Sequence, residues 1–177
     1  MNKIYKKIGY MLLKMRYSKK DRAQLNIKDK FLNSEIIVFI FPKGVTEYSS
    51  YSYIINFFLS IGKRAIFIIE DNKTSSFPIL SGTKFLTYNE NDLSRYGLPK
   101  KEFLEKYKKE RKDLVIDLNY EDDFFATTIS ASSSNCLSIG YFKDYSELFY
   151  DIIIKTSDNL SDRGKYIVNL LMMFSNK

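Results

Sequence analysis

Short, nearly uninterrupted runs of apolar residues are the feature that most limits how this chain can fold. These runs are EIIVFIF (Glu35–Phe41), RAIFII (Arg64–Ile69), DLVIDL (Asp113–Leu118) and CLSIGYF (Cys136–Phe142). A strand with one face in water alternates apolar and polar residues, so continuous runs are typical of strands that are buried on both faces. The sequence therefore predicts a parallel sheet that is covered by helices on both sides.

Segments with helical character separate these strands. TEYSSYSYIINFFLSIG (Thr46–Gly62) has Thr46 as a candidate N-cap and Gly62 as a stop signal. Crossovers between parallel strands are right-handed, which favours a three-layer, mostly parallel, doubly wound (Rossmann-like) α/β sheet within one domain, residues 33–177. The remaining predicted helices are Lys100–Glu110, Tyr120–Ser133 and Leu160–Phe174, and the remaining predicted strands are Thr83–Asn89 and Tyr150–Thr156.

Positive charge is concentrated at the N-terminus. The chain has a net charge of +7, and residues 1–30 hold ten basic and two acidic side chains, so the remainder is close to neutral. A neutral body argues against nucleic-acid binding, which needs a basic face. Residues 1–32 are predicted to form a basic amphipathic helical arm, which packs on its own domain or a partner chain, or lies on an anionic membrane surface. Its apolar stripe would be Ile4, Ile8, Leu12 and Met15.

The composition removes several kinds of catalytic and metal site. The 177 residues include no His and a single cysteine, Cys136. A Ser-His-Asp triad, a His-liganded zinc ion, a multi-Cys metal site and an intramolecular disulfide are therefore excluded. We expect neither a metal nor a cofactor, and a lone buried thiol fits a reducing, cytoplasmic compartment.

In a doubly wound sheet, ligands bind where the strand order reverses. If this point lies between the first strand and the DLVIDL strand, the loops PKGVTE (Pro42–Glu47) and NYEDD (Asn119–Asp123) flank the crevice. The first loop offers Lys43, Gly44 and a helix N-terminus, which form either an anion cradle or a plain strand-to-helix turn. Glu47 is either a residue of the crevice or an acid of the first helical turn.

The second loop offers Asp117 and Asn119. Asp117 either points into the crevice or holds a neighbouring loop by hydrogen bonds, and Asn119 is a candidate N-cap followed by the acids of 121–123 in the first helical turn. The candidate residues of the ligand cleft are therefore Lys43, Gly44, Glu47, Asp117 and Asn119.

Two segments carry a family resemblance. KDLVIDLN (Lys112–Asn119) and SIGYF (Ser138–Phe142) resemble the N-terminal, Rossmann-like half of the heptosyltransferases, glycosyltransferase family 9. NDLSRYGLPK (Asn91–Lys100) and YDIII (Tyr150–Ile154) resemble uncharacterised single-domain bacterial proteins with a basic N-terminal segment.

The resemblance implies a function as well as a fold. Heptosyltransferases have two Rossmann-like domains, of which the C-terminal one binds the nucleotide-sugar donor, and an acid after the first strand is proposed to activate the acceptor. Glu47 is the nearby acid here. With one domain, we expect no catalysis by the chain alone but a binding or assembly module linked to envelope polysaccharide synthesis, peripheral at the inner membrane. The alternative is a glycosyltransferase subunit that is active only with a partner chain or as a homo-oligomer.

Overall fold

The computed structural model describes residues 3–17, 26–45, 47–155 and 160–175. The helices in these ranges are α1 (Lys3–Tyr17), α2 (Ile27–Leu32), α3 (Ser49–Ser60), α4 (Lys101–Lys109), α5 (Phe124–Ala131) and α6 (Leu160–Ser175). The strands are β1 (Ile36–Ile40), β2 (Arg64–Glu70), β3 (Thr83–Tyr88), β4 (Leu114–Asp117), β5 (Leu137–Tyr141) and β6 (Ile152–Ile154). Short 3₁₀ segments cover Asp71–Ser76, Glu90–Asp92 and Ser146–Leu148.

The six strands form one sheet in the order β3-β2-β1-β4-β5-β6, and all of its pairings are parallel. At its centre, Val38 of β1 lies opposite Ile66 of β2 on one side and Val115 of β4 on the other. This order confirms the predicted doubly wound, Rossmann-like architecture. The order reverses between β1 and β4, which is the position considered above for the crevice.

Helices cover both faces of the sheet, as continuous apolar strands require. On one face α2, α3 and α6 pack against alternate strand residues, with Phe31, Phe58 and Leu171 fully buried. On the other face α4 and α5 bury Phe103 and Phe125 in a second core. Each fully buried side chain of this size stabilises the fold by about 1.5–3 kcal/mol relative to an exposed one.

The N-terminal helix α1 packs on the outer side of α5. Gly9 permits this contact, since a Cβ atom added there would lie 2.6 Å from Cε2 of Phe124. Leu13, one turn later, is buried in the same apolar cluster as Phe124 and Phe149. The predicted apolar stripe is not the face that packs on α5: Ile8 and Met15 are exposed, and Leu12 is half-buried. The side chain of Ile4 lies outside the described residues. A glycine carries no hydrophobic signal, so the sequence pattern could not reveal the buried face.

Two helices begin later than predicted. Helix α5 begins at Phe124, because Asp123 is its N-cap and accepts a hydrogen bond of 2.8 Å from the Ala126 backbone N–H. Asn119 is therefore not the N-cap, and the acids at 121 and 122 precede the helix. Helix α3 begins at Ser49, and its candidate cap Thr46 lies outside the described residues.

Candidate functional site

Asp117 ends β4 at the switch point, and its carboxylate is completely buried. Oδ1 accepts hydrogen bonds from the Asn119 backbone N–H at 2.9 Å and from Asn119 Nδ2 at 2.7 Å. Oδ2 accepts from Lys143 Nζ at 2.7 Å and from the Tyr150 hydroxyl at 2.5 Å. A carboxylate offers about four lone-pair positions, so these four donors use all of them. Of the two interpretations of Asp117, the structure shows the one in which it holds its neighbouring segments.

Lys143 supplies the charge that balances Asp117. It follows β5, and its side chain is only 5% exposed. Besides Asp117, Nζ contacts the Asn119 carbonyl oxygen at 3.2 Å and lies 5.2 Å from the centre of the Tyr150 ring. A buried charge is tolerated when it is paired and hydrogen-bonded, and this ammonium group is paired with Asp117, donates a second hydrogen bond to Asn119 and lies near the Tyr150 ring.

Tyr150, which precedes β6, is the third residue whose side chain contacts the Asp117 carboxylate. Burial and the neighbouring Asp117 raise the pKa of the Tyr150 phenol well above its ordinary value, so the hydroxyl stays protonated and can donate. Its oxygen also lies 3.4 Å from Thr127 Oγ1 on α5. The ring occupies the space beside Gly140, where a Cβ atom would lie 2.6 Å from Cε1 of the ring. The glycine of SIGYF is therefore required by the ring that reaches Asp117.

Lys43, Gly44 and Glu47 lie on the other side of the switch point and are exposed. Gly44 has a φ of +74°, and its N–H donates to Glu70 Oε2, at the end of β2, at 2.8 Å. Glu47 Oε2 accepts a hydrogen bond of 3.0 Å from the Ser49 hydroxyl at the start of α3. These contacts direct the first predicted loop toward β2 and α3.

The structure therefore divides the five predicted cleft residues into two groups. Asn119 and Asp117 belong to the buried network, whereas Lys43, Gly44 and Glu47 belong to an open surface. The link between the groups is Asn119 Nδ2, which lies 3.5 Å from the carbonyl oxygen of Ile40 at the end of β1.

Lys143 and Tyr150 are the members of this network that the sequence analysis missed. Lys143 could have been found, because it directly follows the predicted strand Cys136–Phe142, and the carboxyl ends of β4 and β5 meet at the same edge of a parallel sheet. Tyr150 comes before β6, and no pattern in the sequence indicates that its hydroxyl reaches the end of β4.

A second carboxylate lies close to this network. The Asp123 carboxylate is surrounded by protein although part of the residue touches solvent, and this burial, reinforced by the charge of Asp117, raises its pKa above the ordinary value. Among the residues that the structure describes, no three acidic or cysteine side chains are grouped so that they could hold a metal ion. No helix in the described ranges is both long and apolar enough to cross a membrane.

Comparison with known proteins places the chain in a family. Residues 13–171 match a protein-family model described as a family of unknown function, DUF6913. No curated protein and no solved structure matched the chain. The heptosyltransferase resemblance stays a prediction. Because the matched segment covers about nine-tenths of the sequence, the chain belongs to the DUF6913 family of unknown function.

Proposed function

We propose that the protein is a binding or assembly module with a heptosyltransferase-like fold and no glycosyl transfer of its own. The observation that carries this proposal is the state of Asp117. A residue that activates an acceptor hydroxyl must be free to take its proton. Asp117 is buried and already accepts four hydrogen bonds from Asn119, Lys143 and Tyr150, so its role in the fold is structural.

The exposed acid of the first loop supports the same proposal. Glu47 is the residue that the resemblance suggests as a base, and its carboxylate holds the Ser49 hydroxyl beside the first turn of α3. This contact is typical of an acid at a helix start, where it interacts favourably with the helix dipole.

We also propose that α1 attaches the module to an anionic membrane surface at the cytoplasmic face of the inner membrane, beside the synthesis of envelope polysaccharide. Its outward face, which we define as Lys7, Met11, Lys14 and Met15, combines two exposed ammonium groups with methionines that are 64% and 73% exposed. Apolar side chains that enter the headgroup layer and lysines that bind anionic lipids are the two contributions by which interfacial helices bind.

Calorimetric titration of the full chain with a panel of nucleotide sugars, together with a glycosyl-transfer assay over a range of protein concentrations, tests the catalytic part of this proposal. We expect neither binding nor transfer. Transfer that rises with protein concentration and is abolished by Glu47→Gln would overturn the proposal and establish a glycosyltransferase that is active as an oligomer. Glu90→Gln, at another exposed acid, is the matched control.

Vesicle flotation tests the membrane part. We expect the full chain to float with vesicles that contain phosphatidylglycerol and not with pure phosphatidylcholine vesicles. Met15→Glu should reduce flotation, whereas Met173→Glu on α6, where the methionine is 74% exposed, should not. Equal losses in the two variants, or a dimer in solution that Met15→Glu dissociates, would contradict membrane attachment.

A further inference from the structure

An open cavity of about 550 Å³ lies between α1 and the segment that follows β5. Lys7, Tyr10, Met11 and Lys14 form one wall, and residues 144, 145, 148 and 149 form the other. The α1 residues are spaced i, i+3, i+4 and i+7, so they share one face of the helix, next to the face that packs on α5. The volume lies within the range of sites that hold small molecules.

Three of the residues that line this cavity are aromatic: Tyr10, Tyr145 and Phe149. Phe149 is 1% exposed, whereas Tyr145 is 53% exposed. The centres of the Tyr10 and Tyr145 rings lie 4.6 Å apart, with an interplanar angle of 56°. The Tyr10 hydroxyl donates to Asp122, which fixes this ring beside the cavity. The lining therefore offers a preformed surface for an apolar group.

Tyr145 holds its ring there at a conformational cost. Its φ is +60° and its ψ +17°. Among the described residues, the others with a positive φ are all glycines. Backbone conformations of this kind persist where the surrounding structure enforces them, and they are concentrated at binding sites. A glycine or asparagine would adopt the conformation more easily, so the fold of this segment does not itself require a tyrosine.

The charged side chains at the cavity indicate that a ligand there would carry an anionic group. Lys7 and Lys14 are two helical turns apart, and both are exposed at the cavity, opposite Asp144. The lining thus carries one more positive than negative charge. Ammonium groups bind phosphate and carboxylate oxygens through strong, charge-assisted hydrogen bonds.

We infer that this cavity binds one anionic amphiphile, with its phosphate or carboxylate head at Lys7 and Lys14 and its apolar chain over Tyr10, Tyr145 and Phe149. The inference deepens the proposed membrane association, on which it rests for its biological setting, because it assigns one lipid-like molecule to a defined site. The same chemistry could be supplied by a free amphiphile or by a lipid drawn from a bilayer.

Calorimetric titration of the full chain with decyl phosphate, kept below its micelle concentration, tests the cavity in the absence of any membrane. We expect saturable binding of one molecule, and binding of decanol that is weaker by about tenfold or more because it lacks the anionic head. Tyr145→Gly removes the aromatic wall and suits the backbone, so it should weaken binding by about tenfold without loss of fold. Lys14→Gln should weaken binding by a similar factor, whereas Lys28→Gln, at an exposed lysine of α2, should leave it unchanged.

Absence of saturable binding by the unmodified chain would overturn the inference, as would unchanged affinity in both Tyr145→Gly and Lys14→Gln. The vesicle experiment separates this failure from that of the membrane proposal. Decyl phosphate binding without flotation would support the cavity site with a free amphiphile as its ligand and reject membrane attachment. Flotation without decyl phosphate binding would support attachment through the outward face alone and reject the cavity site.

Discussion

Two halves of the same sheet edge differ in how they use their polar residues. The closed half, beyond β4 and β5, buries Asp117, Lys143 and Tyr150 in one hydrogen-bonded network. The open half, beyond β1 and β2, leaves Lys43 and Glu47 exposed. Both halves lie at the carboxyl ends of parallel strands, where such folds usually bind ligands. The contrast shows that topology predicts where polar groups gather but not whether they face a ligand or the core.

The connections that follow β5 and β1 account for the positions of the side chains compared here. Parallel strands usually need a crossover of a dozen or more residues with an α-helix. The chain passes from β5 to β6 in ten residues, 142–151, which include only the 3₁₀ turn Ser146–Leu148. A connection this short stays close to the sheet and brings its side chains over the edge. After β1, the turn at Gly44 instead directs the chain away to α3, which leaves the edge open.

The largest effect is expected from removing the buried cation. Lys143→Met leaves Asp117 charged, buried and without its counter-ion, which should lower the free energy of unfolding by about 3–5 kcal/mol. Lys43→Met, at the exposed lysine of the open half, should change it by less than about 0.5 kcal/mol. Urea unfolding, followed by circular dichroism, measures both.

A double variant shows whether the pair acts as a unit. Because Lys143→Met with Asp117→Asn removes both charges, it should cost less than the sum of the two single substitutions. Additive costs, or equal costs for Lys43→Met and Lys143→Met, would show that the closed half is not held by this ion pair.

Replacing a glycine with alanine should destabilise the fold for a different reason in each half, at Gly140 and at Gly44. Gly140→Ala places a methyl group against the Tyr150 ring and should cost about 1–3 kcal/mol through overpacking. Gly44 has open space around its Cα, so Gly44→Ala should cost about 1–2 kcal/mol through its positive φ alone.

Asparagine at the same positions distinguishes steric from conformational cost, since it tolerates a left-handed backbone. Unfolding measurements should show Gly44→Asn less destabilising than Gly44→Ala, and Gly140→Asn more destabilising than Gly140→Ala. The reverse order at either position would refute that explanation for its half of the edge.

The sheet and its switch point could be predicted from sequence because they depend on a strong, local signal. Continuous apolar runs such as those around Val38 and Val115 indicate strands that are buried on both faces. Right-handed crossovers then leave few possible strand orders. The same signal leads to the candidate residues, since Asp117 ends one of those strands and Asn119 comes two residues later.

The partners of those residues could not be predicted, because they depend on packing between distant segments. Tyr150 reaches Asp117 only because Gly140 leaves room for its ring, and this is a fact of three-dimensional shape. The buried face of α1 was missed for a similar reason: its closest approach occurs at Gly9, which has no side chain to mark it. The predicted start of α5 is too early because Asn119 and Asp123 are both favourable capping residues, and the residue type alone does not show that Asp123 has the capping geometry.

The stability of the protein should depend on pH through Asp123, which lies beside the network of the closed half. Because burial raises the pKa of this carboxyl in the folded state, the folded protein holds its proton more tightly than the unfolded chain does. The resulting stabilisation is present at low pH and is lost as the pH rises through the raised pKa. Asp123→Asn cannot ionise and can still cap α5, so it should be more stable than the unmodified chain at about pH 7.

Melting temperatures between about pH 7 and about pH 4 measure this difference, which should shrink as the pH falls. Asp29→Asn, at an exposed acid of α2, should show no gain at neutral pH. A loss of stability in Asp123→Asn at neutral pH would mean that attraction to Lys143 outweighs the cost of burial.

The smallest effect is expected in the open half, from Glu70→Gln. The amide oxygen can still accept the hydrogen bond from the Gly44 N–H, so the change removes the charge from that contact and leaves its geometry intact. We expect a loss of about 0.5 kcal/mol at low ionic strength, and less at about 1 M salt, because an exposed charge is well screened. The cost of Lys143→Met should barely respond to salt, since buried pairs are screened much less. Urea unfolding of both variants at the two ionic strengths tests whether the closed and open halves differ in this way. If the cost of Lys143→Met depended strongly on salt, water and ions would reach Asp117, and the two halves would form one continuous crevice.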